Sequence, residues 1–399
     1  MPIDADRSYK MKLRDVENAF KYRRIPYPKR SVELIALLAI SCTFFLFMHT
    51  NKLNSRLKEM EVKLQPSEFS ALGLTGNHIS GHDAGKHDDI NTLHGTYQYL
   101  KSTGQLQHLT SAQLNNTPRA QLDTLFFNRV PKAGSEKLME LLKLLAKRNN
   151  FKARRDPEQL IETILMDTGY ARNLLKTEIL NCTTANSYTK HVAFLNFAAF
   201  KKPWPIYINM VRDPIERLVS WFYYVRAPWY LADRVNSFGK AYKVPSRKWL
   251  QKDFNRCVLE HDPECVYEPM EMDNLGDHRR QTLFFCGQHS KLCMPFNSLE
   301  AMQRAKRNVE KRYAVVGTWE DTNTTLSVLE TYIPRFFAGA REEYYAMQGH
   351  MENVNRNALR PTISEMARLA LSRNLTHEIE FYQFARQRLN KQFIAQQLE

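Results

Sequence analysis

The sequence predicts an α/β domain, a parallel sheet with helices on both faces, preceded by one transmembrane helix and a stem. Two observations carry the sheet. The apolar runs TLFFN (124–128) and IYINMV (206–211) read as strands, and each leads within a few residues into a segment of helical periodicity. A strand that feeds directly into a helix returns to the sheet through a crossover, which is how parallel neighbours are joined. The third observation is a uniform 17-residue apolar segment, VELIALLAISCTFFLFM (32–48), broken only by Glu33 at its edge.

Taken from the amino terminus, residues 1–30 hold nine Lys and Arg against four acids, an excess of five positive charges. The segment 31–50 follows and reaches about 20 residues, enough to span a bilayer. It has no small-x-small cleavage site, so a retained signal anchor is expected. The basic flank keeps residues 1–30 in the cytosol and puts everything after residue 50 in the lumen. Sequons at Asn115, Asn181, Asn323 and Asn374 agree with that topology. So do the cysteines. Cys42 lies in the span and Cys182 alone, but Cys257/Cys265 and Cys286/Cys293 form close pairs, which in an oxidising compartment read as short-loop disulfides. A zinc site suits them less, since neither pair has C-x₂₋₄-C spacing.

Residues 51–120 read as a lumenal stem. Leu53, Leu57, Met60 and Leu64 sit at a/d spacing for less than two heptads, and 65–120 is polar and poor in aromatics. His78, His82, His87 and His94 read as solvated linker residues. From 121 to 399 the composition is globular. SEKLMELLKLLAKRN (135–149) is an amphipathic helix burying Leu138, Leu141, Leu142 and Leu145. HVAFLNF (191–197) and RYAVVGTWE (312–320) read as further strands, and helical periodicity dominates after 321. The net charge of +15 and the 43% apolar content describe a well-cored protein that attracts polyanions. Lumenal topology excludes nucleic acid and leaves acidic polysaccharide or a glycoprotein glycan.

Ligands of such sheets lie at the carboxyl ends of the strands, where two loops are informative. NRVPKAGS (128–135) offers backbone N–H groups at a helix start, Lys132 as a cation and Ser135 as a hydroxyl, with Ala133 and Gly134 between them. It lacks the second glycine and the GK[ST] ending of a nucleotide triphosphatase loop. VRDPIERLVS (211–220) offers Arg212 at a strand end and Ser220 two turns into the next helix, a fork and a hydroxyl suited to a phosphate monoester. Asp213-Pro214 is also an ordinary helix start, with Arg217 placed to pair with Asp213. Two anion sites on neighbouring strands suit a nucleotide phosphorylated at both ends of its ribose.

These loops, with KKPWPIYINMVRDPIERLVSWFYY (201–224), FFCG (284–287) and IPRFFAGA (333–340), resemble the glycosaminoglycan uronyl 2-O-sulfotransferases over most of 121–345. The resemblance implies a nucleotide-kinase-like sulfotransferase fold. It also implies transfer of a sulfuryl group from 3′-phosphoadenosine 5′-phosphosulfate (PAPS) to a uronic-acid 2-hydroxyl in the Golgi lumen, without a metal, and homotrimeric assembly. It assigns Lys132 and Ser135 to the donor's 5′ end, Arg212 and Ser220 to its 3′-phosphate, His191 to the catalytic base and Arg129 to the acceptor. It pairs Cys257 with Cys265 and Cys286 with Cys293.

The chain departs from that family at Ala133, Gly134 and Glu136, where small hydroxyls are usual, and at Thr189, where a second histidine is usual. APWYLADRVNSF (227–238) and GHMENVNRN (349–357) stand where basic stretches are expected. These changes argue against a highly sulfated acceptor and leave the donor site largely intact. Rival readings are a lumenal kinase or glycosyltransferase, for which no Walker A, kinase glycine loop or clear D-x-D is present, and a non-catalytic glycan-binding member of the family.

Overall fold

The structure, a computed structural model, describes residues 91–180, 184–272, 279–347 and 360–399. The expected tail and anchor, the stem up to residue 90, Asn181 and Cys182 lie outside the described residues. Among those described, no helix is long and apolar enough to cross a membrane.

Five strands form one sheet in the order β2-β3-β1-β4-β5: β1 Gln121–Asn128, β2 Lys152–Arg155, β3 Asn186–Lys190, β4 Pro205–Val211 and β5 Tyr313–Thr318. Every pairing is parallel, with Phe126 opposite both Tyr188 and Tyr207 and Ile208 opposite Val315. The main helices are α1 Leu93–Ser102, α2 Ser135–Arg148, α3 Pro214–Tyr224, α4 Pro228–Phe238, α5 Phe254–Leu259, α6 Gln281–Cys286, α7 Leu299–Arg312, α8 Thr322–Tyr332, α9 Glu365–Asn374 and α10 Thr376–Leu398. The parallel α/β architecture is thus the one that the strand-helix alternation predicts.

Burial explains why these segments fold as they do. Leu125, Phe126 and Phe127 are wholly buried in the central strand, and Leu138, Leu141, Leu142 and Leu145 cover one face from α2. Under the sheet, Phe126, Phe194, Phe197, Tyr207 and Tyr313 form a ring cluster with centroids 5.1–6.1 Å apart, the separations at which aromatic pairs attract. A second, smaller core gathers Leu218 and Phe222 of α3, Phe254 of α5 and Leu371 of α9.

The structure differs from the sequence reading in three places. HVAFLNF is not a strand; β3 is the polar segment immediately before it, and its chain leaves the ladder at His191. From there the backbone bonds elsewhere, Ala193 N–H to the Ile164 carbonyl and Phe194 N–H to the Phe284 carbonyl. The apolarity of 192–197 reflects packing beneath the sheet, not pairing within it. The edge strand β2, KARR, carries no apolar signal, since an edge is kept soluble by charge. Finally, the stem does not run to residue 120. Thr96, Tyr97 and Leu100 of α1 are buried, and Asn390 of α10 bonds the Thr96 hydroxyl at 3.2 Å.

Because all strands run the same way, their carboxyl ends at Asn128, Arg155, Lys190, Val211 and Thr318 share one rim. After β1 the chain moves to one side of the sheet, and after β4 to the other. The crevice between the ends of β1 and β4 is therefore the topological switch point, where ligands of open α/β sheets bind.

Candidate active site at the carboxyl rim

The loop after β1 is shaped by two positive φ angles, Lys132 at 59° and Gly134 at 83°. A Cβ on Gly134 would lie 2.1 Å from Cε3 of Trp319, so both the backbone and the neighbouring ring demand glycine there. Ala133 is wholly buried and can offer only its backbone. The Ser135 hydroxyl donates to the Val130 carbonyl at 3.1 Å, closing the loop on itself. Its expected role as a hydroxyl donor to a ligand is not what this arrangement shows; the free donors here are the backbone N–H groups at the start of α2.

Asn128, at the end of β1, fixes where the loop begins. Its side-chain amide donates to the Phe284 carbonyl at 2.8 Å, and its Oδ1 accepts from the Tyr313 hydroxyl at 2.9 Å. Asn209 of β4 donates to the Asn128 carbonyl at 2.6 Å. From below, the fully buried Arg217 reaches the Pro131 carbonyl at 3.5 Å. Asp213 caps α3 by accepting from the Glu216 N–H at 2.8 Å.

Lys132 and Arg212 share one crevice. An Arg212 Nη1 donates to the Lys132 carbonyl at 3.4 Å, while the buried Nε of Arg212 has no hydrogen-bond partner. The Lys132 ammonium rests 3.8 Å above the ring of Tyr224. Burial, the nearby Arg212 charge and Arg360 pull Lys132 down to about 8, against Glu136, which favours the charged form. Burial and Arg360 likewise lower the Arg212 guanidinium from its ordinary value. Ser220 lies one helical turn before Tyr224 on α3, so it faces the same side as the Lys132 contact. Two cations held together against desolvation and mutual repulsion, one with an orphan donor, form a site built for an anion.

His191 is the first residue past β3, at the same rim. Its Nδ1 lies 3.0 Å from the Arg129 carbonyl oxygen. A carbonyl can only accept, so Nδ1 carries the proton and Nε2 keeps its lone pair. Burial, reinforced by the Arg129 charge, holds the imidazole well below its usual pKa, so it is neutral. Next to it, buried Lys190 pairs with Asp156, which also accepts from the Tyr188 hydroxyl at 3.1 Å. Arg129 does not stand free. Its guanidinium pairs with Glu136 at 2.6 Å. That pair also answers what Glu136 does in an anion-binding loop: its carboxylate is spent on Arg129.

Several residues of this rim carry no motif. Trp319 directly follows β5 and has Lys137 at 4.9 Å and Arg212 at 6.0 Å from its ring. Arg360 bonds Glu216 at 2.5 Å beside the crevice. On the other side of Lys132, Tyr224 packs against Trp229 and Tyr230 of α4 at 5.3 and 4.7 Å. Arg234 is enclosed by Tyr230, Phe238 and Tyr242 and donates to the carbonyls of Gln159 and Leu160. The segment where a basic stretch was expected is therefore an aromatic wall. An aromatic strand-end residue following β5 was the one available signal for Trp319.

The profile described as "Sulfotransferase family" matches residues 118–385. The chain belongs to the sulfotransferase family. It is 51% identical to "Uronyl 2-sulfotransferase homolog pip" of Drosophila melanogaster over 99% of this chain and 95% of the fly protein. It is 32% identical to "Heparan sulfate 2-O-sulfotransferase 1" of Mus musculus over 65% of this chain and 69% of the mouse protein. "Uronyl 2-sulfotransferase" of Mus musculus is 29% identical over 66% of this chain and 61% of that protein. The family match covers the whole sheet and the loops described above, and excludes the kinase and glycosyltransferase readings.

Away from the rim, Cys257 is joined to Cys265 and Cys286 to Cys293. Asn323 is exposed in the first turn of α8, whereas Asn115 and Asn374 are half-buried.

Proposed function

We propose that this protein transfers the sulfuryl group of PAPS to a glycan hydroxyl, the 2-O position of a uronic acid. As a member of its family the chain is a carbohydrate sulfotransferase; the donor, the acceptor position and the residue roles are our reading. The observation that carries it is the shared crevice of Lys132 and Arg212, with a neutral imidazole on the same rim.

In this reading the start of α2 and Lys132 hold the donor's 5′ end, and Arg212 with Ser220 holds its 3′-phosphate. The orphan Nε of Arg212 fits an anionic oxygen. PAPS supplies an activated sulfuryl group whose leaving group is a phosphate. His191 Nε2 accepts the proton of the attacking hydroxyl, with its orientation set by the Arg129 carbonyl. Lys132 stabilises the charge that develops on the departing phosphate. The aromatic wall of Tyr224, Trp229 and Tyr230 supports a sugar ring more readily than a dense run of sulfates, which favours a sparsely sulfated heparan- or dermatan-type chain or a glycoprotein glycan.

The proposal includes a type II arrangement in the Golgi membrane, with residues 1–30 cytosolic, 31–50 as anchor, 51–120 lumenal before the sulfotransferase domain 121–399, and α1 packed onto that domain. Homotrimeric assembly rests on family resemblance, and light scattering of the purified protein checks it. The central test titrates the full-length protein with 3′-phosphoadenosine 5′-phosphate. Cells with and without the protein are then labelled with radioactive sulfate, and their glycans digested with glycosaminoglycan lyases. Binding together with new lyase-sensitive label is the expected result. Absence of nucleotide binding overturns the donor assignment, and lyase-resistant label moves the acceptor to a glycoprotein glycan.

A further inference from the structure

The parallel sheet has a second rim, at the amino ends of its strands, and a basic hollow opens there. Trp204 immediately precedes β4 and Arg312 immediately precedes β5, so both stand at the end of the sheet opposite Arg212. Around them is a cavity of about 420 Å³, within the ~300–1,000 Å³ range of small-ligand sites. Arg304, Arg307, Lys311 and Arg312 of α7 contribute its cations, and His289 stands at its edge. Arg304, Arg307, Lys311 and His289 are exposed, and Trp204 is half-buried with Arg312 stacked on it at 4.0 Å.

Two features separate this hollow from ordinary solvated charge. Among the described residues, half of the exposed arginines pair with a carboxylate, as in Arg148 with Glu342 and Glu343, Arg256 with Glu260 and Arg341 with Glu330. Among the described residues, none of the four α7 cations that line the hollow makes such a pair, whereas Lys306, which does not line it, pairs with Glu380. They also converge on a concave wall with an aromatic ring, where low-dielectric surroundings focus the field of like charges. Four unneutralised cations beside an indole match a ligand with regularly spaced anionic groups and apolar ring faces.

We propose that this hollow is a second saccharide site, which holds an anionic, uronate- or sulfate-bearing stretch of the glycan away from the reacting sugar. The proposal deepens the functional reading above, since the ligand is the acceptor chain itself. Strands of seven or eight residues set the two rims about 25 Å apart. A single monosaccharide cannot touch both, whereas a chain can. The division of labour follows: the aromatic wall near Lys132 reads the reacting sugar, and the α7 cations grip the polymer by charge. The site thus selects for chain length and charge without requiring sulfates near the reacting hydroxyl.

The test uses full-length protein carrying Arg304→Glu with Arg307→Glu, and the milder Arg304→Gln with Arg307→Gln as a second variant. The probe is a fluorescent heparin-derived dodecasaccharide, titrated at several salt concentrations with 3′-phosphoadenosine 5′-phosphate present. Expected are an affinity at least tenfold weaker for the Glu pair, a smaller loss for the Gln pair, and a shallower salt dependence for both. Nucleotide affinity should stay within twofold of the unaltered protein, which also reports that the fold is intact. Unchanged dodecasaccharide affinity in both variants overturns the proposal. So does finding that Lys132→Ala, and not the α7 variants, abolishes it. Neither readout requires turnover, so failure of the catalytic reading is detected separately.

Discussion

The Nδ1 of His191 donates to the carbonyl oxygen of Arg129 at 3.0 Å, tying the residue just past β3 to the residue just past β1. The bond fixes the tautomer, and burial keeps the ring neutral. His191→Ala should therefore reduce sulfuryl transfer about 100-fold or more, the usual scale for a lost general base, while 3′-phosphoadenosine 5′-phosphate binding stays within twofold. A variant with undiminished transfer would remove His191 from the mechanism.

The same depression has a pH signature with a definite sign. Below about pH 6.5 the unfolded chain protonates this histidine, while the folded protein does not, so stability falls as the pH drops. The melting temperature of the unaltered protein should decline from pH 7 to 5.5 by more than that of His191→Ala. The acid limb of the activity profile should lie below 6.5. An acid limb at or above 6.5 would mean that the ring is not held neutral.

How much of this was legible in the sequence depends on whether a signal was local. The phosphate loop, Arg212 and the α2 face are contiguous patterns, and the structure has them where those patterns indicated. The polar strand β3 was illegible because Tyr188 and Lys190 are buried against Asp156, a partner more than 30 residues away in sequence. Its neighbour HVAFLNF looked like a strand because packing under a sheet and pairing within one bury the same apolar residues. The shift matters for function, since it moves His191 from the start of a supposed strand to the carboxyl rim. Glu136 illustrates a different limit: sequence places its charge near a phosphate, and only the fold shows Arg129 taking it up.

Glu136 is the specific test of that pair. Its side chain is 47% exposed and that of Arg129 14%, so the bond contributes on the order of 0.2–1 kcal/mol, as other solvent-accessible pairs do. Glu136→Gln should leave stability nearly unchanged and free the Arg129 guanidinium. The KM for a sulfated acceptor should then fall about two- to fivefold with kcat little altered, because the gain is in binding rather than in the transition state. No change in KM would argue that Arg129 does not face the acceptor.

Lys132 should make nucleotide binding pH-dependent in a range where few groups titrate. With its ammonium pulled down to about 8, raising the pH from 7 to 9 removes the charge that meets the 5′ end. The complex can retake the proton, so a pKa of about 8 caps the loss over this range, and affinity for 3′-phosphoadenosine 5′-phosphate should weaken by up to about tenfold. Lys132→Arg should flatten that profile. In the free protein the sign reverses: between about 8 and 10.4 only the unfolded chain still holds this proton, so Lys132 contributes stability that rises with pH. A flat binding profile in the unaltered protein would remove Lys132 from the donor site.

Gly134 offers a test of loop shape without touching charge. Gly134→Ala puts a Cβ 2.1 Å from Cε3 of Trp319 at a φ of 83°. The left-handed backbone alone costs about 1–3 kcal/mol for a non-glycine residue under strain, and the ring must also move. Nucleotide binding should weaken at least tenfold. Adding Trp319→Ala should restore only part of it, because the clash is relieved and the backbone strain is not. Full restoration by the double variant would mean that φ is immaterial here.

Asn128, the first residue of the NRVPKAGS loop, has no role assigned by the sequence and is completely buried. Its amide meets the Phe284 carbonyl, and its oxygen meets the hydroxyl of Tyr313. Asn128→Ala takes the acceptor from the buried Tyr313 hydroxyl, while the Phe284 carbonyl loses one donor and keeps the Phe194 N–H; one unsatisfied buried group costs about 1–3 kcal/mol. For a domain of this size about 1 kcal/mol corresponds to roughly 2–4 °C, so the melting temperature should fall by about 2 °C at least. Asn128→Asp keeps the acceptor for Tyr313 but loses the donor and buries a charge, so it should be no less damaging than alanine. If the loop register depends on this residue, both variants should also lose nucleotide affinity at temperatures where they remain folded. Preserved affinity there would reduce Asn128 to a stabilising residue with no part in placing Lys132.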